Sequence, residues 1–175
     1  MATNLEFIKS VTLSSATTLD VTDVFSSKYD VYKVALSKAF LDSSGAGGGQ
    51  RVLEMQLFDS GGTIISASEY DYAVLDMRAD QSFVEQKLTG TTRIDNITQI
   101  NNGEDSGGAV IYFYNPNDSS SYTFVNFQGT GTTGTYGRGY KGIGVHKSAE
   151  TISGFRIFNT SAVSWNAECS VYGVK

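Results

Sequence analysis

The chain has one cysteine, one histidine and one proline in 175 residues, and only 18% of its side chains are charged. A single cysteine cannot close a disulfide within the chain. One histidine and one cysteine exclude a zinc site built from those two residue types alone, which takes three or four such ligands. No apolar run approaches the ~18 residues of a membrane-spanning helix. The opening Met1-Ala2-Thr3-Asn4-Leu5-Glu6 has neither a basic nor an apolar segment, so no signal peptide is expected. A pI of about 4.8 argues against nucleic acid as a partner, since phosphate contacts call for a basic face.

What remains is glycine, serine, threonine and aromatics: 19 Gly, 21 Ser, 17 Thr, and 12% Phe, Trp and Tyr. The length predicts one domain, residues 1–175. Alternation of apolar and polar residues dominates, as in Val31–Ser37, Arg51–Phe58, Tyr70–Met77 and Thr151–Phe158. Thr63–Ser66 reads as a further short strand, and Thr22–Phe25 as one helical turn. Gly45–Gly49, Asn101–Gly108 and Asn115–Asp118 read as loops and turns. No stretch carries a sustained helical stripe. The pattern predicts an all-β fold, an antiparallel β-sandwich of jelly-roll type with roughly ten strands.

Charge is unevenly spread. Residues 42–118 hold twelve acids and four bases, whereas residues 119–175 hold two acids and five bases. Such opposed segments suit contacts between neighbouring copies. Ala109–Tyr114 is apolar on both faces, where a sandwich strand normally has one polar face. Val110, Tyr112, Tyr114 and Phe124 are therefore expected at an oligomer interface.

The chemical motifs are sparse. Gly129–Gly134 and Gly137–Gly142 both match G-x-G-x-x-G, but no helix can follow either, so the nucleotide-binding reading fails. No serine elbow accompanies His146, which is expected at the surface end of a strand. Cys169 is expected as a buried free thiol. Acid pairs such as Asp20/Asp23, Glu69/Asp71 and Glu104/Asp105 are not distinguished from one another, and no acidic loop has a calcium-loop spacing. No cofactor, metal or catalytic residue is expected. The glycine-rich segment 129–142 reads as a loop presenting Tyr136, Arg138, Tyr140 and Lys141, with Trp165 as a further exposed aromatic. Aromatics and cations in this setting suit stacking on a sugar ring or docking of a partner.

Asn4–Thr12, Leu19–Phe25 and Tyr29–Val34 resemble segments of small virion proteins of marine tailed bacteriophages, of the cyanophage type. So do Tyr70–Ala73, Val110–Pro116 and Ser170–Lys175. The resemblance implies a β-sandwich like the distal heads of tail fibres, working as a homo-oligomer, with a trimer favoured. It implies a non-enzymatic structural protein on the particle exterior, bound to other tail or capsid proteins and in contact with a host-surface glycan, without membrane insertion. The matching segments are strands and turns, so no functional residue carries over. The domain begins near Asn4 without a stalk, which keeps open the alternative of a capsid-decorating protein. A carbohydrate-active enzyme is the third reading.

Overall fold

A computed structural model describes residues 4–42, 49–102 and 107–175. Residues 45–48 of the predicted Gly45–Gly49 loop lie outside these, as do Glu104 and Asp105 of the acidic loop. Among the described residues there are twelve strands and no helix. They are β1 (Leu5–Ala16), β2 (Thr18–Val21), β3 (Val31–Leu41), β4 (Arg51–Asp59), β5 (Tyr70–Arg78) and β6 (Val84–Thr91), followed by β7 (Ile94–Ile100), β8 (Gly107–Tyr114), β9 (Thr123–Thr132), β10 (Gly137–His146), β11 (Ile152–Phe158) and β12 (Trp165–Val174). One sheet has eight strands in the order β1-β12-β3-β8-β9-β10-β5-β6, and the other four in the order β2-β11-β4-β7. Every pairing between these strands is antiparallel. The fold is the expected antiparallel, jelly-roll-like β-sandwich.

Two local expectations change. Thr63–Ser66 makes a single bridge, Ile64 to Phe58, in place of a strand. Asp59 takes over the turn: its Oδ1 accepts from Gly61 N and Thr63 N, each at 2.8 Å, and Gly62 adopts φ 78°, a conformation suited to glycine. Thr22–Phe25 is not a helical turn. The Val24 and Phe25 amides instead donate to Ser153 O at 3.0 and 3.3 Å, tying this segment to β11.

The two sheets meet on their alternating apolar faces. β9 shows the rule: Thr123, Val125, Phe127 and Gly129 are buried, whereas Phe124, Asn126, Gln128 and Thr130 are exposed. Facing side chains from β3, β8, β4, β7 and β11 fill the interior, Phe113 of β8 stacking on Phe155 of β11 with centroids 5.1 Å apart. Each large apolar side chain so buried contributes about 1.5–3 kcal/mol.

At one place the sheets come together backbone to backbone. A Cβ on Gly129 would sit inside contact distance of Ile97 O and 2.7 Å from Thr98 Cβ. Gly131 lies in the same way against Gln99 O of β7. The first G-x-G-x-x-G match thus supplies a close approach between sheets.

Cys169 faces this interior and is fully buried. Burial pushes its thiol up to about 12, so almost no thiolate exists at neutral pH. The native protein is expected to resist a thiol-specific reagent at pH 8 and to be labelled fully in urea. Equal labelling rates in both states would contradict the packing of β12.

Candidate binding face

The outer face of the eight-stranded sheet carries no covering layer among the described residues, yet much of it is apolar. Cross-strand register arranges its middle into rows. Val31, Tyr114, Phe124 and Val145 form one. Lys33, Tyr112, Asn126, Ile143 and Ala73 form the next. Ala35, Val110, Gln128, Lys141 and Leu75 form a third. The side-chain period of two puts these residues outward because Ile111, Phe113, Val125 and Phe127 between them point to the core.

The four residues expected at an interface, Val110, Tyr112, Tyr114 and Phe124, fall together on this face. Phe124 is 46% exposed, Val110 36%, and their neighbour Ile143 61%. The surface is shaped as two adjoining troughs of about 780 and 700 Å³, which share Ala73, Asn126 and Ile143. Both fall in the range of ordinary ligand sites, ~300–1,000 Å³. Tyr114 and Phe124 stand directly opposite each other in the larger one, and Asn126 Nδ2 donates to the Tyr114 hydroxyl at 3.2 Å. Lys33, Lys87 and Lys141 line these troughs and form no ion pair among the described residues.

The other expected binding residues scatter. Segment 129–142 is no loop: it comprises the ends of β9 and β10 around a turn at 133–136. Lys141 alone of the five reaches the outer face. Tyr136 is half-buried in the turn, its carbonyl accepting from Thr133 N at 3.1 Å. Tyr140 and Trp165 are fully buried and offer no stacking surface. Trp165 Nε1 donates to Thr17 O at 3.1 Å, and the Tyr140 hydroxyl to Gln99 Oε1 at 2.9 Å. Their amphipathic rings look like binding residues in sequence because each needs a polar partner, which the interior provides.

Arg138 is also engaged within the fold. Its Nε donates to Asp76 Oδ1 at 3.0 Å, its Nη2 to Asp76 Oδ2, and its Nη1 to Gln99 Oε1 at 2.6 Å. Arg78 Nε adds a bond to Asp76 Oδ2 at 3.0 Å. Burial pushes the Asp76 carboxyl up, but hydrogen bonds from Arg138 and Arg78 outweigh it and hold the group below the usual carboxylate range. His146 is fully buried rather than at the surface, because β10 points it inward beside Tyr70.

No family model matches the chain, and no curated protein does. Among solved structures it is similar over 98% of its length to an exo-inulinase from Aspergillus awamori, at 12% identity and TM-score 0.38, and spans 29% of that enzyme. It is also similar to a marine alginate lyase from Aplysia kurodai, at 8% identity and TM-score 0.35, over 95% of this chain and 81% of that one. A seed lectin of Lotus tetragonolobus matches at 11% identity and TM-score 0.34, over all of this chain and 95% of the lectin. The sandwich rests on its own hydrogen-bonded strands and not on these distant likenesses.

Proposed function

We propose that this chain is a non-enzymatic structural protein of a bacteriophage particle, carried on its exterior with the tail or tail fibres, and that it assembles through the outer face of its eight-stranded sheet. The observation that carries the assembly is the row of Tyr114, Phe124 and Val145 with exposed Ile143 and Val110 beside it. Contiguous apolar surface of this kind marks an interaction site, and an apolar centre with a polar rim is how interfaces are built. The phage setting rests on the resemblance of the strand and turn segments. A homo-oligomer, with a trimer favoured, covers the face. Lys33, Lys87 and Lys141 suit an acidic neighbour, which the acid-rich segment 42–118 of another copy can provide.

Light scattering on the purified protein should show an oligomer at micromolar concentration, and Phe124→Lys with Ile143→Lys should give a folded monomer. A wild-type monomer, together with undiminished incorporation of the double variant into particles, would remove the proposal. Copy number per particle separates tail from capsid decoration: a count on the scale of the major shell protein favours decoration. One observation supports a host-glycan contact on the same face, namely Tyr114 and Phe124, register partners across β8 and β9, in a concave trough lined also by Lys87.

A further inference from the structure

At the end of the large sheet a buried imidazole meets two carboxylates. His146, the last residue of β10, stands in register with Tyr70, the first of β5. Lys147 N donates to Glu69 O at 2.8 Å and fixes the two strand ends together. The turn after β10 then returns Glu150 to the same place. His146 Nε2 lies 3.2 Å from Glu69 Oε2 and 3.6 Å from Glu150 Oε1. Ligand atoms of all three side chains lie within 4.8 Å of one another. The imidazole has no exposed surface, and the Tyr70 ring packs 5.1 Å from it. The carboxylates are 41% and 35% exposed and open to solvent. Lys147, the nearest base in sequence, pairs with Asp71 at 2.8 Å instead. Among the described residues neither Glu69 nor Glu150 has a lysine or arginine partner.

We propose that Glu69, His146 and Glu150 form a binding site for a divalent first-row transition ion, with zinc the best fit. Two ligand atoms around a tetrahedral zinc at ordinary bond lengths are about 3.3 Å apart. Both Nε2–carboxylate separations stand close to that value, so an ion bound by the Nε2 lone pair of the neutral Nδ1–H tautomer needs only small side-chain movements. An imidazole nitrogen selects zinc and its neighbours over calcium and magnesium, which prefer all-oxygen sites. Solvent completes the coordination on the exposed side. The count of one histidine and one cysteine excludes only a site made from those residues; two glutamates complete this one.

The same geometry limits the affinity. His146 Nδ1 is buried without a hydrogen-bond partner. A metal-bound histidine normally donates its other N–H to an acceptor, and loss of that support typically costs 10–100-fold in affinity. Zinc bound on Nε2 leaves the proton on Nδ1 with no acceptor, so the site holds its ion more weakly, and exchanges it more readily, than one whose second ring nitrogen is supported. Its effect is to tie the β10–β11 turn to the start of β5.

Zinc chloride titrated calorimetrically into chelator-treated protein tests this, with calcium and magnesium chloride in parallel. One zinc per chain at micromolar concentration is expected, with a rise in melting temperature on loading. Glu69→Gln with Glu150→Gln should keep the fold, since both side chains are half-exposed, and weaken zinc at least tenfold. This pair keeps the test clean where a change at buried His146 would disturb packing. No zinc uptake by the wild type, equal uptake by the double variant, or calcium and magnesium bound as tightly as zinc would each overturn the proposal.

Discussion

Arg138→Met is expected to lower stability by up to about 3–5 kcal/mol, because it leaves a buried carboxylate with only the Arg78 bond in place of a three-bond clamp. Asp76 has no exposed surface, and Arg138 grips both of its carboxylate oxygens. For a domain of this size a loss of 3–5 kcal/mol corresponds to a fall in melting temperature of roughly 6–20 °C. Asp76→Asn combined with Arg138→Met should recover part of the loss, since no buried charge then remains. A single-variant loss below about 1 kcal/mol, the scale of an exposed ion pair, would show that water reaches Asp76. The sign of the pH dependence follows from the same network. The folded carboxyl is held below its unfolded value of about 3.9, so its contribution is complete above that value and is lost as pH falls through the lower folded one. The acid limb of the stability profile should therefore flatten in Asp76→Asn. An unchanged acid limb would mean that other carboxylates control it.

Gly129→Ala is the second large effect. Overpacking a well-filled interior costs about 1–3 kcal/mol where side chains can shift. At Gly129 the obstacle is the backbone of β7, the Ile97 carbonyl and Thr98 Cα, which moves only if the sheets separate. A loss at or above about 3 kcal/mol is expected from urea unfolding, against a small change at Gly137, where a Cβ would meet nothing. Equal effects at the two positions would show that the sheets are not in backbone contact there.

The sandwich was legible because its strands obey a period of two over most of their length, as in β3 and β5. The β9–β10 hairpin was not, because Gly129, Gly131, Gly139 and Gly142 read as loop residues when composition is judged without phase. In phase, Phe127, Gly129 and Gly131 point inward and Gln128 and Thr130 outward, and the glycines stand where the opposite sheet presses closest. That phase was the missed signal. Outward-facing Val110, Tyr112, Tyr114 and Phe124 could be grouped from alternation alone, whereas Ile143 and Lys141 joined them only once β9 and β10 were paired. Tyr140 and Trp165 show the limit of residue type as a guide, since a ring with one polar atom suits a binding surface and a hydrogen-bonded interior equally well. His146 and Glu150 are close in the chain, but Glu69 lies 77 residues before His146, and only the register of β5 with β10 brings it to them.

β12 lies between β1 and β3, so Leu5 pairs with Val174 and Val174 with Val31. During synthesis the larger sheet is therefore left divided until β12 emerges, with β1 lacking its one partner among the described strands. The β8–β9–β10 meander can form early from local hairpins, but closing the sheet requires contacts across nearly the whole chain, a topology that folds slowly. The edges of β1 and β3 that β12 later fills keep their backbone N–H and C=O groups unpaired through that interval, when chains crowded at high expression can pair with one another instead. Arrival of β12 sets the moment at which the two parts of the sheet can join.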